Sequence, residues 1–359
     1  MARDLRFYLK QYGLDTAELA ESGLGYANLL YLAVVLVELQ AAKDADLTLF
    51  LVEEPEAHLH PQLQALTLGY LRDQAATSTV PSPDGHEGRI QVVVTTHSPN
   101  LTAAVGAKHV VVVRRPVLAA EPSRGAGFAS TTAVSVSELG LTEKSVAKID
   151  RYLDVTRCAL LFSRRVMLVE GMAEALLLPV LAQRRVLCDK SRAPALARFR
   201  AATLVPIEGV DFEPYLDLLL TAREGCRLAD RVVVVTDEDQ DAHRCDLLRA
   251  QGERLQASER LRLHAAKPTL EAELFAAGNA DLLKDVFLHL RPKSSDRWET
   301  LMQKAENARP GAFVELLAQT RTRKGDFAQS LAERIAAGAE FAVPTYLTNA
   351  IQDLVADDA

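Results

Sequence analysis

Two short apolar runs decide the fold of this chain: VMLVEG at residues 166–171 and VVVVTDEDQD at residues 232–241. Each run has the length and composition of one buried strand, and each stops abruptly at acidic residues. Glu170, Asp237 and Asp239 therefore stand at strand ends, where a sheet can direct them into one cleft. Carboxylates at close range repel one another unless a cation lies between them, and hard divalent ions such as Mg²⁺ prefer oxygen ligands. The pattern predicts a carboxylate metal site with a phosphate substrate.

The sequence around these two runs alternates between strands and helices. It predicts further strands over 202–206 and 261–264, with helices over 173–181 and 211–222. A βαβαβ order indicates an α/β fold with a parallel sheet, whose sites lie at the carboxyl ends of the strands. Glu174 follows Glu170 by one helical turn, so the two carboxylates can converge.

Composition excludes several classes of protein. The 359 residues are enough for two or three domains, and 48% apolar with 25% charged residues is typical of a globular protein. A net charge of -7 gives no support to a simple basic nucleic-acid binder. Four scattered cysteines without a CxxC pair argue against zinc and a disulfide framework, which favours a cytoplasmic location. Because the longest apolar run, about 29–37, is far shorter than a bilayer, no membrane association is predicted.

A second pair of strands lies nearer the N-terminus. LTLFLV at residues 47–52 ends at Glu53 and Glu54, and IQVVVTT at residues 90–96 ends at His97. A strand that ends in two acids is typical of a Walker B motif, in which the first acid holds Mg²⁺ and the second polarises the attacking water. The alternative is a strand followed by a helix that the acids merely favour at its N-terminus.

The motifs EEPEAHLHP at 53–61 and TTHSP at 95–99 resemble those in the C-terminal half of an ABC-type ATPase domain, as found in the overcoming-lysogenisation-defect (OLD) family of nucleases. The resemblance implies that Glu53 is the Walker B residue, Glu54 the catalytic glutamate and His97 the switch histidine. It also implies a signature loop at Ser22 and Gly23 that contacts nucleotide across a homodimer. By itself this glycine-containing stretch favours a simple break between two helices.

The phosphate-binding loop of such an ATPase has no counterpart in the sequence. No GxxxxGK[ST] motif occurs, although this loop and its lysine hold the β- and γ-phosphates. We therefore expect no ATP hydrolysis by this chain alone. ATP is an expected cofactor only if a missing N-terminal part or a partner chain supplies the loop.

The acidic strand ends resemble those of a Toprim domain. EGxxE at 170–174 is followed by DxD at 237–239, in the order and at about the separation that such domains show. The resemblance implies two Mg²⁺ or Mn²⁺ ions held by Glu170, Glu174, Asp237 and Asp239, with Glu208 as a weaker candidate. Two ions can activate the attacking water and stabilise the leaving oxygen of a phosphodiester. The alternative for DEDQD at 237–241 is a solvated acidic loop or a weak Ca²⁺ site.

Two later motifs also resemble OLD nucleases. TLE at 269–271 begins a helix that Thr269 is expected to cap, and Glu271 is a candidate to join the metal site. RTRKGDFA at 321–328 offers Lys324 as a group that stabilises transition-state charge. The alternatives are an acid that only favours a helix N-terminus and a basic helix boundary at the surface. Candidate contacts to the DNA backbone are Arg321, Arg323, Lys293 and Arg297.

These expectations divide the chain into four parts. Residues 1–130 correspond to the C-terminal part of an ABC-type ATPase domain, 131–163 to a helical connector, 164–265 to a Toprim nuclease core and 266–359 to a helical C-terminal region. The resemblance implies an OLD-type, metal-dependent DNA endonuclease or nickase, a homodimer and a role in phage defence. Two competing hypotheses are a DNA-binding or regulatory subunit with a separate P-loop partner, and an inactive fragment that binds Mg²⁺ without hydrolysis.

Overall fold

A computed structural model describes most of the chain. The described residues are 8–9, 17–18, several positions between 24 and 37, 47–57, 59–78, 89–114, 131–152, 158–238 and 243–357. They form two compact units: residues 1–110 with 153–158, and residues 111–152 with 159–359.

The first unit contains a pair of parallel strands, β1 (Leu47–Glu53) and β2 (Arg89–Thr95). The register places Glu53 opposite Thr95, which confirms that the two predicted strands run side by side. One face of the pair packs against helices α1 (Pro61–Thr77) and α2 (Pro99–Val105). Strand alternation leaves apolar residues exposed on the other face: Leu47, Leu49, Leu51 and Val93.

The second unit is built on a four-stranded sheet in which every neighbouring pair is parallel. A hairpin of β3 (Val111–Arg114) and β4 (Thr132–Ser135) and helix α3 (Glu143–Tyr152) precede it. The sheet strands are β5 (Arg165–Val169), β6 (Thr203–Pro206), β7 (Arg231–Asp237) and β8 (Leu261–Ala266), in the spatial order β8-β7-β5-β6. The parallel sheet predicted from the βαβαβ order is confirmed.

Both faces of the two central strands are covered, as an all-parallel sheet requires. Every position of β7 is buried, and the alternate residues Val233 and Val235 join a core with Leu177 of helix α4 (Met172–Leu181). The connecting helices are α5 (Ala193–Ala201), α6 (Glu213–Leu220) and α7 (Arg244–Arg254).

A helical region follows the last strand and completes the same core. Its helices are α8 (Leu270–Ala276), α9 (Ala280–Leu290), α10 (Ser295–Met302), α11 (Arg309–Gln319), α12 (Lys324–Ala336) and α13 (Thr345–Val355). Rings of Phe275, Trp298, Phe313 and Phe327 pack at centroid distances of 5.3–6.1 Å. Within the described residues, no helix combines the length and the apolar character that crossing a bilayer requires.

The segment before the sheet differs from the sequence expectation. The sequence predicts a helix over 134–156, but residues 132–135 form β4 and the helix α3 begins only at Glu143. Val134 and Val136 are buried at a strand spacing of two, and Gly140 adopts a φ of 67° that interrupts any regular helix. Thr142 then caps α3, since its Oγ1 accepts from the backbone N–H of Ser145 at 3.1 Å.

Candidate active site

Four carboxylates converge at the carboxyl edge of the parallel sheet. Glu170 immediately follows β5 and Asp237 ends β7, while Glu174 lies in the first turn of α4 and Glu271 in the first turn of α8. Glu174, Asp237 and Glu271 are buried, with 3–6% of their surface exposed. We call these four side chains the acidic cluster. The sequence named all four residues, and the fold brings them together from separate elements.

Glu170 is held by donors from the end of β7. Its Oε2 accepts hydrogen bonds from Thr236 Oγ1 at 2.8 Å and from the backbone N–H of Asp237 at 3.0 Å. Arg244, at the start of α7, places Nη1 3.3 Å from the same oxygen. This nitrogen is also 3.0 Å from Thr236 Oγ1 and 2.8 Å from the carbonyl oxygen of Asp237. A single Glu170 oxygen therefore takes three donors.

Asp237 and Glu174 lie in a poorly solvated environment beside like charges. Burial, followed by the charges of Glu174, Glu170 and Glu271, raises the pKa of Asp237 to about 8. Burial, followed by the charges of Glu271 and Glu170 and opposed by backbone hydrogen bonds, raises the pKa of Glu174 to about 7. Such perturbed carboxyl groups in a cluster are typical of functional sites.

Helix α8 contributes both an amide donor and an acid to the cluster. Thr269 caps the helix as predicted, accepting from the N–H of Ala272 at 3.4 Å. The backbone N–H of Leu270, the first residue of α8, donates to Asp237 Oδ1 at 3.0 Å. In the next position, Glu271 is paired with Lys324 Nζ at 3.0 Å.

Lys324 stands at the first position of α12, 53 residues from its partner. Its side chain is 61% exposed, whereas that of Glu271 is 4% exposed. Partial burial alone would lower the pKa of Lys324, but the charges of Glu271, Asp237 and Glu174 outweigh it and raise that pKa. The ammonium group is therefore charged and lies between the acids and solvent.

The chemistry of this donor set fits a hard divalent cation. Burial, together with repulsion between the carboxylates, raises the pKa values of Glu174 and Asp237, and a cation between the acids would relieve that repulsion. As they stand, no three Asp, Glu, His or Cys side chains among the described residues are close enough to hold one ion. Each acid of the cluster is engaged by protein donors: Thr236 and Arg244 on Glu170, the Gly171 N–H on Glu174, the Leu270 N–H on Asp237 and Lys324 on Glu271.

Two further predicted ligands are not part of the observed cluster. Asp239 lies outside the described residues, so its place stays a prediction. Glu208, just beyond β6, is exposed with a left-handed φ of 57° and lines a small cavity with Lys148 and Asp211. The charges that raise the pKa values of Glu174 and Asp237 do not include that of Glu208.

Two residues near the cluster escaped prediction. Arg244 is one of many arginines in the sequence. Only its position shortly after the DxD motif indicates that it could contact the acidic cluster. Tyr346 of α13 has its hydroxyl beside the cluster, as described below, and no local motif marks it. Both require the tertiary fold to be found.

The first unit brings together the predicted ATPase residues that the structure describes. His97 Nε2 lies 3.6 Å from Glu54 Oε1, and both side chains are exposed. Glu56, which the sequence did not single out, positions the His97 loop: its Oε1 accepts from Thr96 Oγ1 at 2.5 Å and from the His97 N–H at 2.8 Å. Glu53 ends β1 and is exposed. Ser22 and Gly23 lie outside the described residues.

Comparison with known families matches each unit to a domain model. Residues 161–239, which include β5, β6, β7, Glu170, Glu174 and Asp237, match the model of the "Overcoming lysogenization defect protein-like, TOPRIM domain". This segment is an OLD-like Toprim domain. Residues 12–102 match the model of an AAA ATPase domain. The predicted fold class is therefore confirmed: an ATPase-like region, then a Toprim domain with a parallel sheet flanked by helices, then a helical C-terminal region.

Solved structures similar to this chain cover about half of it. The C-terminal region of the Xanthomonas campestris pv. campestris OLD protein is 27% identical, with a TM-score of 0.40, over 54% of this chain and 93% of that chain. The C-terminal region of the Burkholderia pseudomallei OLD protein is 27% identical, with a TM-score of 0.37, over 54% of this chain and 100% of that chain. No curated protein matches the chain.

Proposed function

We propose that this chain is a Toprim-type, metal-dependent DNA endonuclease that nicks or cuts phosphodiester bonds at the acidic cluster. The observation that carries the proposal is the convergence of Glu170, Glu174, Asp237 and Glu271 at one sheet edge. The first three lie in the segment that matches the model of an OLD-like Toprim domain. Mg²⁺ or Mn²⁺, with two ions expected, would be held by these acids and by Asp239.

Bound divalent ions would supply a deprotonated water and charge neutralisation at the phosphate. The side chains of this chain have their own roles. Glu170 is held in place through Oε2. Lys324, charged and partly exposed, is placed to donate to a non-bridging phosphate oxygen as negative charge develops there.

The surface beside Lys324 suits a DNA backbone. Arg321 and Arg323 are exposed on the turn that leads into α12. Arg291 fixes this turn by donating to the carbonyl oxygens of Thr320 at 3.0 Å and Arg321 at 2.6 Å. A turn held by these hydrogen bonds, with two exposed cationic side chains beside Lys324, supports phosphate contacts whose strength falls with salt.

The test is nicking of supercoiled plasmid by the purified chain with Mg²⁺ or Mn²⁺. Glu170→Gln and Asp237→Asn should each reduce the rate at least about 100-fold, because each removes a charge that a divalent ion needs. Asp246→Asn, on the exposed surface of α7, is the matched control and should nick like the wild type. Unchanged nicking by both cluster variants, or nicking that persists in EDTA, would show that the cluster is not the active site.

A second candidate function is a DNA-binding or regulatory subunit that works with a separate P-loop chain. It is favoured by the first unit, where Glu54 and His97 are exposed. The apolar residues on one face of β1 and β2 are also exposed. Co-purification of a P-loop ATPase with the tagged chain, together with ATP turnover only in the mixture, would support it. Plasmid nicking by the chain alone would favour the first proposal.

A further inference from the structure

Helix α13 packs against strands β7 and β8 and is fixed there at several points. Toward its C-terminal end, Asp353 Oδ2 lies 2.9 Å from His264 Nε2 of β8, and Arg231 of β7 donates to the Asp353 carbonyl oxygen at 2.9 Å. Ahead of the helix, Ala342 exchanges two hydrogen bonds with Asn279, which follows α8, at 2.9 and 2.8 Å. The first turn of α13 is therefore held against the part of the fold that carries Glu271.

Tyr346 lies in that first turn, and its hydroxyl is enclosed. The ring packs against the apolar core, and the phenolic oxygen has essentially no contact with solvent. Among the described residues, it has no hydrogen-bond partner. A buried hydroxyl without a partner destabilises a fold, so such a group calls for a physical explanation.

The groups that face this hydroxyl are acids from three elements. They are Asp237 at the end of β7, Glu174 on α4, and Glu273 and Glu271 on α8. Burial, followed by these charges, raises the pKa of Tyr346 well above its ordinary value. A phenol is protonated at neutral pH, so this enclosed hydroxyl is a hydrogen-bond donor near a cluster of acceptors.

We propose that Tyr346 is a positioning residue of the acidic cluster, which donates a hydrogen bond to the oxygen ligand that occupies the cluster. That ligand is either a water bound to the divalent ion or a non-bridging phosphate oxygen of the nucleic acid. Both are acceptors of the same chemistry, and both would satisfy the hydroxyl. The inference rests on the proposed function for the metal site.

Tyr346→Phe is the decisive variant, because it deletes only the unpartnered hydroxyl. It should fold normally, with a melting temperature in EDTA equal to or above that of the wild type. Mn²⁺ binding, followed by calorimetry or by the free-ion EPR signal, should weaken about tenfold if the ligand is a metal-bound water. If the ligand is a phosphate oxygen, Mn²⁺ affinity should stay the same while the KM for plasmid rises or kcat falls by a similar factor. Tyr215→Phe, buried on α6, is the control and should change none of these quantities.

The outcomes separate this proposal from the proposed function. If the wild type binds Mn²⁺ and Tyr346→Phe weakens that binding, but no DNA is nicked, then the tyrosine proposal stands and the nuclease proposal falls. If the wild type nicks plasmid and Tyr346→Phe matches it in Mn²⁺ affinity, KM and kcat, then the nuclease proposal stands and Tyr346 has no positioning role. A wild-type chain that binds no Mn²⁺ and nicks no DNA overturns both.

Discussion

Lys324 Nζ lies 3.0 Å from Glu271 Oε1, although 53 residues separate the two in the chain. The pair joins α12 to α8 at the acidic cluster. Because Glu271 is buried and Lys324 is mostly exposed, only the lysine is able to turn outward toward a phosphate while its stem stays in place. The geometry favours a role in the site over a basic helix boundary at the surface.

Lys324→Met should reduce plasmid nicking about 100-fold at saturating DNA, because it removes the cation nearest the substrate side of the cluster. It also leaves Glu271 without its ion-pair partner, so lower stability would confuse the result. Thermal denaturation therefore shows whether Lys324→Met is folded at the temperature of the gel assay for nicking. Lys324→Arg keeps the charge and should retain more nicking than Lys324→Met. Nicking at the wild-type rate by folded Lys324→Met would contradict a direct role for the lysine.

A neighbouring cation serves as a control for that experiment. Arg323→Met removes an exposed charge on the same turn and should leave kcat unchanged while DNA binding weakens and depends less steeply on salt. Equal losses of kcat in Arg323→Met and Lys324→Met would mean that both residues contribute only non-specific electrostatic attraction to DNA, and would contradict a direct role for Lys324.

Arg244 is expected to act through Glu170. Arg244→Met removes one of three donors to Glu170 Oε2 and should weaken Mn²⁺ binding about tenfold, as loss of groups that orient metal ligands does. Arg244→Lys should recover part of that loss, since it keeps the charge but not the planar fork. Arg249→Met, on the exposed face of the same helix, is the control. Mn²⁺ affinity in Arg244→Met equal to that of the wild type would contradict a positioning role.

Sequence reasoning located most of the site because its signals are local. VMLVEG and VVVVTDEDQD each place acids directly after a buried strand, and parallel strands bring their carboxyl ends to one edge. Glu170, Asp237 and the cap at Thr269 therefore followed from strand ends and capping chemistry. Glu271 and Lys324 were each named from family resemblance. Their ion pair was not predicted, since no pattern spans the intervening helices.

The parts that sequence reasoning missed depend on tertiary packing. Tyr346 is one tyrosine in an amphipathic helix, and its importance arises only from where α13 docks on β7 and β8. The segment around Val134 was predicted to be helical, because the periodicities of strands and helices cannot be told apart in short runs. In the structure it forms a strand because it pairs with β3. Glu208 followed the same rule as Glu170, yet it stands on an edge strand and its side chain remains exposed.

The ATPase-like unit makes a separate prediction. Since the sequence contains no P-loop, the purified chain should show no ATP turnover, and Glu54→Gln and His97→Ala should leave plasmid nicking by the chain alone unchanged. Turnover is measured by phosphate release and nicking by gel assay, with Glu170→Gln as the variant that abolishes nicking. ATP hydrolysis by the wild type that Glu54→Gln eliminates would contradict this and would show that the chain binds nucleotide by another route.

The acidic cluster should make the metal-free protein less stable as pH rises. Glu174 and Asp237 have pKa values of about 7 and about 8 in the fold, above their ordinary values of 4.5 and 3.8. A raised carboxyl pKa means that the folded state binds the proton more tightly than the unfolded state does. This stabilisation is complete below about pH 4 and is lost as pH increases through 7 and 8.

Asp237→Asn removes the larger of the two titrations. In EDTA, the unfolding free energy of the wild type relative to Asp237→Asn should therefore fall by at least ~2 kcal/mol between pH 5.5 and pH 8.5, given about 1.4 kcal/mol per pKa unit. Urea denaturation at several pH values measures it, and saturating Mn²⁺ should stabilise the wild type most at the alkaline end. Parallel pH profiles for the two proteins would show that Asp237 ionises normally, and that the carboxylates do not repel one another as the geometry requires.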